Sequence, residues 1–313
     1  MAVTAKDVKE LREMTSVGMM DCKKALMACD GDKDAAIDWL REKGLAAQTK
    51  KASKVASEGV SMAIVSDAGI GVVLEVNSQT DFVAKNATFQ EFVKNCAVAV
   101  AEQNPADVAA LKVATYPGTD RTVDTVTADK VLAIGENLQL RRFVRYDTGL
   151  NVPYVHMNGK IGVLVNMEIS DNLAGNEAVV TLGKDLAMQI AAMNPSYVSS
   201  EEVPAEEIEK EKAVQLAKAL EESASNTKMP EEKKQMIAEK KVAGRMNNYF
   251  AEVCLLNQQF VKESKLTVDK HVAAVAKELG GDIKVVKFTR FETGEGLAKK
   301  EEDFAAEVAS MIK

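Results

Sequence analysis

Two histidines, His156 and His271, and four cysteines, Cys22, Cys29, Cys96 and Cys254, are the side chains best suited to proton transfer, nucleophilic attack or metal ligation in this chain. Their spacing supports none of these roles. No two cysteines form a CxxC pair, and the intervals match no zinc framework. We expect four reduced, mostly buried thiols, and with them a reducing, cytoplasmic compartment. His156 follows Val152-Pro153-Tyr154-Val155 near an expected strand start, where a histidine is more often structural; acid–base work with a neighbouring carboxylate is the rival reading. Gly69-Ile70-Gly71 is followed by Leu74 where a dinucleotide fingerprint requires glycine, and Gly294-Glu295-Gly296 fails likewise at Lys299. No P-loop, nucleophile elbow or paired-histidine zincin motif occurs. The chain therefore reads as no enzyme, without cofactor or metal. What remains is a loop. Thr80-Asp81-Phe82-Val83-Ala84-Lys85-Asn86 sets an aromatic ring beside a carboxylate in polar surroundings. Such a ring either packs under its own helix or offers an apolar wedge to a partner's pocket.

The elements that position this loop can be read from periodicity. Thr4-x-x-Asp7 can cap a first helix whose apolar stripe is Val8, Leu11 and Met14 or Thr15. Ser16-Val17-Gly18 breaks it. A second helix carries Cys22, Ala25, Leu26 and Cys29 and ends at Gly31. A third carries Ala36, Ile37 and Leu40, and Gly44 is expected to stop it. Three short helices in so few residues resemble the ubiquitin-associated helical fold. An internal duplication comes next. Ile70-Gly71-Val72-Val73-Leu74-Glu75-Val76 recurs 91 positions later as Ile161-Gly162-Val163-Leu164-Val165-Asn166-Met167. Each run leads through a polar loop to a helix. The first spans roughly Thr88 to Gln103, with Thr88-x-x-Glu91 as its expected capping box, and the second roughly Glu177 to Met193. Both end at Asn-Pro. A further strand, Arg142-Phe143-Val144-Arg145-Tyr146-Asp147-Thr148-Gly149, matches Lys287-Phe288-Thr289-Arg290-Phe291-Glu292-Thr293-Gly294 at an offset of 145, so the second copy holds an insertion of roughly 54 residues (145 − 91).

That insertion is visible as composition. Residues 201–246 hold 11 Glu and 9 Lys or Arg, and no aromatic lies between Tyr197 and Tyr249, so the segment is too polar to bury. It reads as a projecting helical hairpin, either a solvated spacer or a surface for self-association or partner contact. Phe304, Val308, Met311 and Ile312 fall on one face of a terminal helix, which either folds back or docks on a partner. The 313 residues carry a formal charge of −7, which argues against extended nucleic-acid binding though not against a local basic patch. Met1-Ala2-Val3-Thr4 leads straight into a charged helix, and no apolar run reaches membrane-spanning length. The fold class is α+β. We expect a ubiquitin-associated-like unit at 1–45 and a linker at 46–60. Beyond it lies a duplicated core of halves 61–149 and 150–200 with 248–296, each with a small antiparallel sheet. The hairpin occupies 201–247 and a C-terminal helical module 297–313.

Taken in order, several motifs point to a family. They are Leu11-Arg12-Glu13-Met14-Thr15, Gly18-Met19-Met20-Asp21-Cys22-Lys23-Lys24-Ala25-Leu26 and Gln79-Thr80-Asp81-Phe82-Val83-Ala84-Lys85-Asn86. With them stand Ile134-Gly135-Glu136-Asn137, Arg141-Arg142, Phe291-Glu292-x-Gly294-Glu295-Gly296 and Asp303-Phe304-Ala305-Ala306-Glu307-Val308. Together they resemble the elongation factor Ts family, guanine-nucleotide exchange factors of bacterial translation; residues 105–130 match that family weakly. The resemblance implies elongation factor Tu as partner. It implies that Asp81 and Phe82, flanked by Thr80 and Val83, enter the partner near its magnesium and phosphate site. Met19 and Met20 would meet the nucleotide-binding domain, as would the terminal helix through Phe304 and Val308, and the region around His156 would meet another domain. A general protein adaptor working through the three-helix unit is the alternative.

Overall fold

The computed structural model describes residues 3–224 and 230–298. Its elements run along the chain as α1 (Ala5–Thr15), α2 (Met19–Ala28), α3 (Lys33–Lys51), β1 (Glu58–Val65), β2 (Gly71–Ser78), α4 (Asp81–Ala84), α5 (Ala87–Gln103), α6 (Val108–Val113), α7 (Val123–Ile134) and β3 (Gln139–Tyr146). Then come β4 (Leu150–His156), β5 (Ile161–Ile169), α8 (Glu177–Met193), α9 (Ala205–Ala224), α10 (Glu231–Val253), β6 (Gln259–Phe260), β7 (Glu263–Thr267), α11 (Val268–Leu279) and β8 (Ile283–Glu292). The mixture of helices with small sheets is the expected α+β class. Two compact units divide the described residues. One holds the chain up to Asp147, Pro153–Leu164 and the residues from Phe291; the other holds Thr148–Val152 and Val165–Arg290.

In the first unit, Thr4 caps α1 by a reciprocal capping box with Asp7. Val8, Leu11, Val17, Cys22, Ala25, Leu26, Ala36 and Leu40 close the three-helix core, with Leu132 and Ala133 of α7 packed against it. Thr15 takes the inner position on the α1 stripe, and Met14 is left 61% exposed. Gly44 does not stop α3, which runs on to Lys51. The glycine serves close approach instead: a Cβ there would stand 3.1 Å from the Ala128 carbonyl oxygen, so its absence lets α3 lie against α7.

β1, β2 and β3 form an antiparallel sheet in that order, with Val60 opposite Val76 and Leu74 opposite Phe143. Every residue of the central strand β2 is buried. Alternation along the strand separates its two faces. Val72, Leu74 and Val76 pack with Phe89, Phe92, Val93 and Cys96 of α5, while Val73 packs with Ala63, Tyr146, Leu164 and Phe291.

The duplication extends further than the matching runs. β4, β5 and β8 form a second three-stranded sheet in that order, so β4, β5, α8 and β8 repeat β1, β2, α5 and β3. His156 ends its strand rather than starting one. Asn86 caps α5 and Asn176 caps α8, and each of these helices closes at an asparagine in left-handed conformation, Asn104 and Asn194. The α5 cap is thus Asn86 and not the Thr88 box. Its Oδ1 accepts from both the Thr88 and Phe89 amides, and asparagine outranks threonine at this position. Helix α7, which begins in the stretch of weak family match, is the counterpart of α11. Thr122 and Thr267 cap their N-termini, and Gly135 and Gly280 their C-termini, at the same offset of 145.

The insertion in the second unit is the expected hairpin, with α10 running on to Val253. Ala219 and Ala238 are buried in its seam, and Glu222 joins its helices through Arg245 at 2.6 Å and Lys241 at 3.1 Å. Among the described residues, no helix is long and apolar enough to cross a membrane. All four cysteines are free, and only Cys29 is not buried.

Candidate partner-docking site

The loop after β2 is built to hold an aromatic ring outside the protein. Phe82 is 80% exposed, the most exposed large apolar side chain among the described residues. Its neighbour Val83 is turned inward and joins the core beneath α5. The second copy explains the choice. There Leu173 is 1% exposed and occupies the place of Val83, counted back from the capping asparagine, while Asn172 stands where Phe82 stands. The inward anchor is common to both copies, and the outward ring is an addition to the first. Packing of Phe82 under its own helix is therefore not what this chain does.

Three devices fix the loop. The carboxylate of Glu136, just past α7, accepts the Gln79 amide at 3.0 Å, the Thr80 amide at 3.1 Å and the Thr80 hydroxyl at 2.7 Å. The Ser78 hydroxyl donates to the Thr80 carbonyl at 3.0 Å. Lys85 pairs with Asp81 at 2.6 Å across the single turn of α4. That hydrogen bond, together with the charge of Lys85, holds the Asp81 carboxyl below its ordinary range. Asp81 therefore stays ionised beside the ring at neutral pH. Glu136 was visible in sequence only as a motif member; nothing local signals that it staples a loop 56 residues earlier.

Phe82 also lines a groove of about 610 Å³ with Met14 and Ser16 from the end of α1, Tyr116, and Arg121 and Asp129 on the α7 side. Arg121 and Asp129 are paired at 2.7 Å, and Lys130 also lines the groove. Met19 and Met20 do not line this groove. They stand 52% and 65% exposed at the start of α2, with Met14 a third exposed methionine on the same three-helix unit. Flexible, polarisable methionines in the open suit adaptable protein contact. His156 lies elsewhere, at the end of β4. Its Nδ1 is 2.8 Å from the Tyr154 hydroxyl, and among the described residues no carboxylate pairs with it. The geometry for acid–base work by His156 is thus lacking there. Phe304 and Val308 lie outside the described residues.

An exposed ring on a stapled loop, with exposed methionines on the three-helix unit, leaves apolar surface of the kind that protein interfaces bury. The family profile described as Elongation factor TS matches residues 79–295. The chain is 49% identical to elongation factor Ts of Syntrophotalea carbinolica, with all of both chains covered. It is 48% identical to that of Clostridioides difficile over 99% of each chain, and 42% identical to that of Bartonella tribocorum over all of both. The chain belongs to the elongation factor Ts family.

Proposed function

We propose that this protein is the guanine-nucleotide exchange factor for elongation factor Tu, and that Asp81 and Phe82 are the tip that loosens bound GDP. Family membership supports the role in translation elongation, and the observation that carries the mechanism is the exposure of Phe82 on a loop fastened at both ends. A ring held out of its own core has apolar area to bury only in another molecule. Mg²⁺ demands near-octahedral ligands at about 2.0–2.1 Å, so a small displacement of the partner's ligands weakens the ion strongly. The bound phosphates depend on that ion and on backbone amides, and disturbing either releases GDP.

Magnitudes indicate that the tip does not act alone. Burying the ring returns roughly 1.5–3 kcal/mol. Accelerating release by about 10⁴-fold requires about 5.5 kcal/mol. The remainder comes from a wider interface, to which we assign Met19 and Met20, the region of His156, and the terminal segment with Phe304 and Val308. Coupling is reciprocal: to the extent that this protein lowers GDP affinity, GDP lowers the affinity for this protein, and rebinding of nucleotide ejects it. No covalent bond is made or broken.

The test is release of labelled GDP from elongation factor Tu with and without this protein. Acceleration at micromolar protein is expected. Unchanged release overturns the reading, and with it a pull-down that recovers other proteins through the three-helix unit supports the adaptor alternative.

A further inference from the structure

The ladder between β2, the strand that carries the loop, and β3 shifts register three residues before β2 ends at Ser78. β2 and β3 pair in register as far as Glu75, which faces Arg142; the next pair is Val76 with Leu140, so Arg141 is an extra residue on β3. Such a bulge bends the strand that holds the extra residue, here β3, and raises the local twist of the pair. Past the bulge the paired strand β2 continues through Val76, Asn77 and Ser78 into the loop from Gln79 to Phe82.

The bulge is pinned by charge. Glu75 is fully buried. Its carboxylate accepts from Arg141 Nη1 at 2.9 Å, Arg142 Nε at 2.6 Å, Asn77 Nδ2 at 3.0 Å and the Gly294 amide at 2.8 Å. Burial raises the Glu75 pKa, but the bonds from Gly294, Arg141, Asn77 and Arg142 outweigh it and leave the carboxyl below its ordinary value. Both guanidinium groups are held in turn: Arg141 also reaches the Glu295 carbonyl, and Arg142 lies 4.3 Å over the Phe291 ring. Two further side-chain bonds lie between Glu75 and the loop. Asn77 also donates to the Glu58 carbonyl at 3.1 Å, and Ser78 ties to Thr80. In the second copy the position of Glu75 is held by Asn166, which bonds Asn151 and the Thr148 carbonyl, and the loop beyond presents no ring. A paired buried charge is found in the copy with the working loop. A charge there is an expensive choice for stability alone, since apolar replacements of buried ion pairs are often neutral or stabilising.

We propose that Glu75, with Arg141 and Arg142, is a positioning residue for nucleotide exchange: it locks the bulge and thereby the direction in which Thr80–Phe82 is presented. This rests on the exchange reading above. The test uses full-length Glu75→Gln, alone and combined with Phe82→Ala, with three readouts: GDP release from elongation factor Tu, hydrogen exchange at the Gln79 and Thr80 amides, and the thermal midpoint. A misplacement on the order of 1 Å costs up to about 10²-fold in rate, so Glu75→Gln is expected to slow release roughly tenfold or more. In the Phe82→Ala background the same substitution should cost less than about twofold, because residues acting through one another are not additive. Exchange at the Gln79 and Thr80 amides should quicken. Equal losses in both backgrounds, or full activity in a folded Glu75→Gln, overturn the proposal. Should Glu75→Gln fail to fold, Arg141→Met, at a partly exposed position, carries the same comparison. If the unaltered protein itself does not accelerate release, the exchange reading falls separately. The amide rates then decide: unchanged rates at Gln79 and Thr80 in Glu75→Gln overturn the latch.

Discussion

Thr80 gives both its amide, at 3.1 Å, and its hydroxyl, at 2.7 Å, to the carboxylate of Glu136. The start of the Thr80–Asn86 loop is thereby fastened to the end of α7. Hydrogen bonds to a charged group contribute about 1.5–3 kcal/mol each when the partner is removed. For Glu136→Ala we expect faster hydrogen exchange at the Gln79 and Thr80 amides and a loss of exchange activity on the order of tenfold, with the far-ultraviolet spectrum retained. Protected amides in the variant count against the staple.

Phe82→Ala separates binding from folding. The ring is 80% exposed, so its removal should change stability by no more than about 0.5 kcal/mol. GDP release from elongation factor Tu should slow by roughly 10–200-fold, the equivalent of about 1.5–3 kcal/mol of lost burial. Val83→Ala should do the reverse. It removes an inward anchor, so the thermal midpoint should fall. A drop in midpoint for Phe82→Ala would place the ring in the protein's own core.

Two glycines make a graded prediction about backbone. Gly294 has φ +77°, and a Cβ there would lie 2.0 Å from the Ser57 carbonyl oxygen. Gly44 has ordinary helical geometry, with its nearest obstacle 3.1 Å away. Gly294→Ala therefore meets both a left-handed strain of about 1–2 kcal/mol and a backbone clash. Gly44→Ala meets a milder crowding, offset by about 1 kcal/mol of helix propensity. Denaturant melts should show Gly294→Ala losing more than about 2 kcal/mol and Gly44→Ala clearly less.

Acid should find the Glu75 cluster. A carboxyl with a depressed folded pKa adds stability that is present above its unfolded pKa and lost as the pH falls through the folded value. The loss should begin below the ordinary value of 4.5. Thermal midpoints measured from neutral pH downward should fall more steeply for the unaltered protein than for Glu75→Gln. Parallel curves would show that Glu75 does not carry this contribution.

The thiols should react in a fixed order. Burial raises the pKa of Cys22 and Cys96 and pushes that of Cys254 up to about 11. Cys29 is the one thiol that is not buried, so a thiol reagent at neutral pH should modify it first, with the other three reacting on denaturation. Prompt labelling of Cys96 would contradict the packing beneath α5.

Much of this architecture is written in local pattern. Helix caps at Thr4 and the paired Asn-Pro ends of α5 and α8 depend on neighbouring residues alone, and the two repeat offsets announce duplicated halves and an inserted hairpin. Residues whose meaning depends on a distant neighbour were harder to read. Gly44 looks like a stop until Ala128 is seen beside it, and α7 shows few local signals beyond the caps it shares with α11. Periodicity also does not distinguish Phe82 from Val83 as the inward residue of the loop.

Short-range chemistry thus specifies the motif, its polar surroundings and its place between a strand and a helix. The fate of the ring was settled by contacts across dozens of residues. Val83 joins the core beneath α5, and Glu136 holds the backbone from the end of α7. Phe82 is left outside while Val83 turns inward and Glu136 holds the backbone, and the partners that decide this, α5 and Glu136, lie outside the seven residues of the loop.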